Sequence, residues 1–262
     1  MTARATSRTP SPKQRVALID GDFAIYWTAY LSEGESDAQG FLDNLDGVIE
    51  SWTKKAGCTK AHICLSLFKV KNFRHTLYKD YKKCRKGREL PSFIKEGYDY
   101  LAGRGHKHSV IQILGLEADD LMGIAATTEN ANNEFVIVTV DKDLQTIPGE
   151  HWNPRTGATC KVSPMDALRK LYTQWLTGDA TDSVPGLPGV GPKKAQKIID
   201  AVTSYKDLNR YERELCRAVQ EAYIDAGQKK TYWLTMGRLV KILTSREWDR
   251  KKKTFKMWEP PV

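Results

Sequence analysis

The residues able to do chemistry in this chain are mostly carboxylates, and they recur at matching places. Asp20 closes the apolar run at residues 16–19. Glu117, Asp119 and Asp120 follow the run at 110–114, Asp141 and Asp143 follow the run at 135–140, and Asp179 and Asp182 lie in Gly178-Asp-Ala-Thr-Asp-Ser183. Like charges gathered within a few ångströms raise one another's pKa and oppose folding unless a cation stands between them. Donors that are all oxygen, with no His or Cys in these segments, favour Mg²⁺ or Mn²⁺ over zinc. Two or more such ions, about 3.5–4 Å apart, would activate a water and stabilise the departing oxygen of a phosphodiester. A single Asp after a strand is more often a helix cap or turn former, so the repetition carries the case. Asp22 is set outside the ligand group because it can cap a helix starting at Phe23. Glu117 and Asp120, three residues apart, are expected on one helix face, with Asp119 turned about 100° per residue step from its neighbours so that the cluster serves two ions.

Such side chains converge only if the strands before them lie side by side and end at one edge, as in an open parallel sheet. The runs at 16–19, 62–68, 110–114 and 135–140 read as buried strands, and Phe41, Leu45, Val48, Ile49 and Trp52 mark a helix between them. The fold class is therefore α/β, a central mostly parallel sheet with flanking helices. Beyond about residue 163 the pattern turns helical, over 165–176, 193–202 and 210–226. The expected organisation is a disordered leader over 1–14, an α/β domain over 15–162 with a basic arch around 75–105, and a helical region over 163–262.

Lys and Arg number 41 against 32 Asp and Glu, a formal charge of +9 that suits a polyanionic partner. Tyr78-Lys-Asp-Tyr-Lys-Lys-Cys-Arg-Lys-Gly-Arg88 interleaves six basic residues with two tyrosines, a pattern for gripping phosphates and stacking on unpaired bases; a solvated helix face is the plainer alternative. Gly186-Leu-Pro-Gly-Val-Gly-Pro-Lys-Lys-Ala195 is a glycine turn opening a helix, whose backbone N–H groups suit an anion. Pro192 stands where a nucleotide P-loop needs Lys, so that reading fails. The run Arg250-Lys-Lys-Lys253 reads as solvated surface. Five scattered cysteines suggest reduced thiols and a cytoplasmic protein, and the absence of an apolar run of about 20 residues argues against a membrane partner.

Together these segments resemble the phage-encoded 5′→3′ exonucleases of the flap-endonuclease (PIN-like) family. Ile19-Asp-Gly-Asp22, Tyr81-Lys-Lys-Cys-Arg85, Gly115-Leu-Glu-Ala-Asp-Asp120, Thr139-Val-Asp-Lys-Asp143 and Gly178-Asp-Ala-Thr-Asp182 stand in family order, followed by the glycine turn. The closing Phe255-Lys-Met-Trp-Glu-Pro260 is similar to the end of podovirus-type members.

The resemblance implies that Asp20, Glu117 and Asp119 hold a first metal. Asp119, Asp141, Asp143 and Asp179 hold a second, with Asp182 in support and Asp120 close by. It implies that Lys82 and Arg85 polarise the scissile phosphate. Nucleic-acid contacts are expected from Arg74, Tyr81, Lys82, Lys83, Arg85 and Arg88, and from a helix-hairpin-helix at 184–202 through Gly189, Gly191, Lys193 and Lys194, with a K⁺ at that turn. Duplex, nicked or 5′-flapped DNA and RNA–DNA hybrid are the implied substrates, for a monomer working beside replication proteins.

One position departs from the family. Counting back from Phe73-Arg74, Lys69 stands where an aspartate is usual. This opens a second reading, a catalytically weakened DNA-binding member that would bind without cutting. A third, a single-strand ribonuclease of the related PIN class, is disfavoured by the long helical C-terminal part.

Overall fold

The computed structural model describes residues 13–32, 37–85, 87–103, 106–129 and 133–261. Most of the expected leader, residues 1–12, lies outside them, and Gln14 already opens the first strand. Strand β1 (Gln14–Asp20) is central. It pairs in parallel with β2 (Lys60–Cys64) on one side and β4 (Asn133–Val138) on the other. β3 (Ser109–Ile111) joins β2 in parallel, β5 (Gly149–Trp152) joins β4 in parallel, and β6 (Thr159–Val162) closes the edge antiparallel to β5. The order is β3-β2-β1-β4-β5-β6, the mostly parallel sheet expected.

β5 and β6 were not anticipated, because Gly149-Glu-His-Trp152 and Thr159-Cys-Lys-Val162 contain no apolar run. β2 and β3 stop earlier than the apolar runs do, at Cys64 and Ile111, since the residues that follow turn away from the ladder toward the rim.

Strand alternation sorts the core. Ala17, Ile19, Val136 and Val138 face a layer built from α1 (Gly21–Leu31), α2 (Ala38–Lys55) and α4 (Ile94–Ala102). Leu18 and Ile137, one residue out of phase, face α5 (Ala118–Thr127). Each of the Val, Leu and Ile side chains among these, removed fully from water, contributes about 1.5–3 kcal/mol. The basic stretch after β2 is no continuous helix. It runs through the short α3 (Arg74–Leu77), a turn, and a single 3₁₀ turn at Lys83–Arg85.

Helices α6 (Pro164–Thr177), α7 (Pro192–Asp200), α8 (Leu208–Asp225) and α9 (Lys230–Val240) enclose a separate aromatic core. Trp175 and Trp233 stack there with ring centroids 4.9 Å apart, and the Trp175 indole N–H donates to the Trp233 carbonyl at 2.7 Å. After α9 the chain returns to the sheet. Ile242 and Leu243 pack under α5, where Gly123 is needed because a Cβ would stand 2.3 Å from the Leu243 carbonyl oxygen. A small hairpin, β7 (Trp248–Asp249) and β8 (Thr254–Phe255), then sets Phe255 against Phe73 at 5.1 Å. Ile242, Leu243, Trp248 and Phe255 therefore pack on the α/β half and not among the helices that precede them.

Among the described residues, no helix is long and apolar enough to cross a membrane.

Candidate active site at the sheet rim

The carboxyl ends of β1 and β4 deliver acids to one edge. Asp20 ends β1 and caps α1, accepting from the Phe23 N–H at 3.0 Å, while Asp22 sits in the first turn and accepts from the Ser66 N–H at 2.9 Å. Asp141 follows β4 and caps a 3₁₀ turn by accepting from the Asp143 N–H at 2.8 Å. Thr139 ties the two strands together: its hydroxyl donates to Asp20 at 3.2 Å and accepts from the Asp141 N–H at 3.0 Å. The N-terminus of α5 adds Glu117 and Asp119, and the loop after α6 adds Asp179 and Asp182. All eight line a single open cleft of about 580 Å³, with Lys82 and Arg85 in its wall.

The electrostatics of this crowding are uneven. Burial, then Asp22 and Asp141, push Asp20 up to about 7. Burial and the Asp141 charge raise Asp143 to about 6. Asp22, Asp119 and Asp141 are raised for the same pair of reasons, loss of water and neighbouring carboxylates. Glu117 goes the other way: burial opposes its charge, but Lys82 and Arg74 outweigh it and hold the carboxyl down to about 2. The Lys82 ammonium bonds Glu117 and lies 3.6 Å from Asp182, Arg85 bonds Asp182, and the Tyr81 hydroxyl donates to Glu117 at 2.8 Å and to Asp182 at 3.0 Å.

Several placements differ from the sequence reading. Asp120 does not reach the cleft. It is fully buried, receives two bonds from Arg74 at 2.8 Å and accepts from the Leu243 N–H at 3.1 Å, so it is no candidate metal ligand. The helix-face reasoning fails because Glu117 is the cap of α5, with extended backbone, and not a residue of its first turn.

Arg74 is likewise buried. It bonds Asp120, Glu117 and the carbonyls of Leu239 and Lys241, and presents nothing to a polyanion. Tyr81 is 3 % exposed and braces two acids, so it offers no face for base stacking. Asp22, set aside as a cap, lines the cleft, since Asp20 takes the capping role.

Lys69 sits on an exposed turn with its ammonium 5.2 Å from the centre of the Phe68 ring, outside the cleft lining. The side chain that enters from the segment after β2 is Ser66. The weakened reading built on Lys69 loses its basis. Phe23, Tyr26, Tyr98, Lys142 and Thr181 also line the cleft without having been singled out; only their nearness in sequence to Asp20, Asp141 and Asp179 could have flagged some of them.

Residues 15–166 match the family described as 5′-3′ exonuclease, N-terminal resolvase-like domain, which covers more than half of the chain. The chain belongs to the 5′-3′ exonuclease family.

This exonuclease is 26% identical over 272 residues to the 5′-3′ exonuclease of Buchnera aphidicola subsp. Schizaphis graminum, covering 93% of this chain and 94% of that one. It is 29% identical over 227 residues to the thermostable DNA polymerase I of Thermus aquaticus, where the match takes in 80% of this chain but spans only 27% of the polymerase. Its fold is similar to that of the bacteriophage T5 flap endonuclease in a pseudo-enzyme–product complex with DNA and metal ions. That match has a TM-score of 0.56 and 17% identity and covers 87% of this chain and 99% of that one.

The exonuclease cleft fits a hard divalent cation by its chemistry. Its acidic donors are all oxygen, and several carboxylates are held in an environment that disfavours their charge until a cation offsets it. Among the described residues, no three of these groups stand close enough to hold one ion as they are.

Behind the cleft, Gly178 and Gly186 back onto each other: a Cβ on Gly178 would meet the Val184 oxygen at 2.2 Å, and one on Gly186 the Gly178 nitrogen at 2.3 Å. Both have positive φ, which glycine adopts without strain. This contact fastens the Asp179 loop to the turn that opens α7. Gly189 has φ +76 and Gly191 caps α7; space is open around both, with Lys193 and Lys194 exposed. Lys83 is exposed and paired with Asp80 at 3.3 Å, and Arg88 is exposed.

Proposed function

We propose that the protein hydrolyses phosphodiesters of DNA near free 5′ ends, as a divalent-metal-dependent 5′→3′ exonuclease and flap endonuclease. The observation that carries this reading is that eight carboxylates from four separate segments line one cleft, with Lys82, Arg85 and Lys142 in its wall. Asp20, Glu117, Asp119, Asp141, Asp143 and Asp179 would hold the metal, with Asp22 and Asp182 beside them; Mg²⁺ or Mn²⁺ suits such ligands. Bound divalent ions would supply a water acidic enough to attack at neutral pH and charge to offset the departing oxygen.

The chain's own residues do the rest. Lys82, kept charged by Glu117 and Asp182 against the cost of its burial, and Arg85, with its planar fork, bind the scissile phosphate and orient it across the cleft. Arg74 and Tyr81 fix Glu117 in place. The turn at Gly189 and Gly191, with Lys193 and Lys194, grips the duplex backbone as a helix-hairpin-helix. The Lys194 ammonium donates to the Gly189 carbonyl at 2.9 Å, which ties that lysine to the turn where a K⁺ would be held. The substrates in this reading are duplex, nicked or 5′-flapped DNA and RNA–DNA hybrid, met by a monomer beside the replication machinery in a cytoplasm.

The test is cleavage of 5′-labelled duplex, flapped DNA and RNA–DNA hybrid in Mg²⁺ or Mn²⁺. Product in both metals, abolished by EDTA and by Asp141→Ala or Asp179→Ala, supports the reading. No product in either metal, or activity untouched by those substitutions, refutes it.

A further inference from the structure

The four consecutive cations Arg250, Lys251, Lys252 and Lys253 form the tip of the β7–β8 hairpin. We propose that this hairpin is a second nucleic-acid surface, which takes the phosphodiester backbone of the duplex part of the substrate outside the cleft. The proposal rests on the exonuclease reading and extends it to a part of the chain that the cleft does not include.

Three observations support it. First, the tip is held in shape. Trp248 pairs with Phe255 and Asp249 with Thr254, and the Asp249 carboxylate accepts from the Lys251 N–H at 3.0 Å and the Lys252 N–H at 3.1 Å. Asp249 is thereby engaged with backbone N–H groups in place of the ammonium groups beside it. Less side-chain and loop ordering then has to accompany binding.

Second, the tip is rooted at the cleft rim. Phe255 lies on Phe73, which directly precedes the Arg74 that holds Glu117, and its ring stands 3.8 Å from where a Cβ on Gly115, two residues before Glu117, would lie.

Third, the charge is unanswered. Arg250, Lys251, Lys252, Lys253 and Lys256 are all exposed, and among the described residues none forms an ion pair. Lys69 and Lys71, on the exposed turn leading to Phe73, are unpaired in the same sense and adjoin the hairpin through the packing of Phe73 on Phe255. By contrast, Arg238 and Arg246 nearby are matched to Glu259 and Glu212.

Charges spaced within about 10 Å of one another add their fields at 0.1 M salt. Duplex DNA, which carries a phosphate charge about every 1.7 Å along its axis, is the polyanion such an array suits. An acidic peptide would offer charge too, but the position beside a cleft that receives phosphates favours the substrate itself.

The experiment compares the wild-type chain with a variant carrying Arg250→Ala, Lys251→Ala, Lys252→Ala and Lys253→Ala. Binding of a fluorescent 30-base-pair duplex is followed by anisotropy in EDTA across a KCl series, beside a six-nucleotide single strand sized for the cleft alone. The expected result is affinity for the duplex lower by about tenfold or more at 0.1 M KCl, with a log–log salt slope shallower by about 0.9 for each phosphate that the tip no longer neutralises. Binding of the short strand, and kcat on saturating flap, stay at wild-type values. An unchanged duplex slope and affinity, or an equal loss on the short strand, overturns the proposal. Because binding is read without divalent ions, a wild-type chain that binds but does not cut would overturn the exonuclease reading while leaving the salt slope to decide on the hairpin.

Discussion

Arg74 and Asp120 meet as a two-pronged ion pair, each terminal guanidinium nitrogen 2.8 Å from a different carboxylate oxygen, with both side chains buried. The same guanidinium holds Glu117 at 3.1 Å and the carbonyls of Leu239 and Lys241 at 3.0 and 2.8 Å. One side chain thus links a cleft carboxylate, the core under α5 and the end of α9. Asp120→Ala would leave the buried Arg74 guanidinium without its two-pronged partner, with only Glu117 to answer its charge, and lower stability by about 3 kcal/mol. Urea denaturation measures it; a loss under about 1 kcal/mol would show the pair to be incidental.

Glu117 sits between Arg74 and Lys82, and the second of these bears on catalysis. Lys82→Met removes the ammonium that faces the expected phosphate, and kcat should fall by about 10²–10³-fold. Affinity for Mn²⁺ without substrate should rise, because Glu117 no longer has that ammonium as an internal cation. Calorimetry with Mn²⁺ and single-turnover cleavage read the two effects separately, and weaker Mn²⁺ binding in the variant would contradict the assignment.

The stability of the metal-free protein should depend on pH in two opposite windows. Asp20, raised to about 7, and Asp143, raised to about 6, favour their protonated forms in the fold. Their contribution is full below the unfolded value near 4 and is lost as pH rises through 6–7. Glu117, held at about 2, contributes above its ordinary 4.5 and loses that contribution as pH falls toward 2. In EDTA, Tm should therefore decline from pH 5 to pH 8, and millimolar Mg²⁺ should remove the decline. A flat EDTA profile over that range would count against the crowded carboxylates.

Asp22 and Lys69 both depart from the roles their sequence positions suggested: Asp22 lines the cleft and Lys69 lies outside its lining. Asp22→Asn keeps an acceptor for the Ser66 N–H but removes a cleft charge, so divalent-ion affinity should drop several-fold while Tm in EDTA rises. Lys69→Ala removes a side chain outside the cleft, and kcat should change less than about twofold. A large gain of activity in Lys69→Asp would restore the weakened reading.

Gly178→Ala has no room, with the Val184 oxygen 2.2 Å from the new Cβ and a backbone that a side chain strains. A loss of about 2–4 kcal/mol is expected, with impaired cleavage through the displaced Asp179 loop. Thermal denaturation and kcat measured together check it; a stable, active variant would mean that the loop can move independently of the glycine turn.

The sheet was legible because β1 and β4 are short apolar runs followed at once by acids, and a parallel sheet brings such ends together. Strands β5 and β6 were not, because Glu150 and Lys161 belong to strands defined by pairing and not by hydrophobicity. Within the cleft, acids adjacent in sequence parted according to backbone details that spacing does not encode. A two-residue shift of the α1 cap, from Asp22 to Asp20, left Asp22 lining the cleft, and the extended cap conformation of Glu117 turned Asp120 inward. Arg74 misled for another reason: its partners at Asp120, Leu239 and Lys241 are 46, 165 and 167 residues away, and local charge patterning cannot register them.

The return of the chain from α9 to α5 has a consequence for biosynthesis. Asp120 takes one of its hydrogen bonds from the Leu243 amide, 123 residues downstream. A nascent chain whose α/β half has already left the ribosome still lacks that amide and the carbonyls that secure Arg74, so the support behind Glu117 is completed only once residues 239–243 have emerged. A ribosome stalled shortly before codon 239 would hold a folded sheet whose nuclease centre is unfinished.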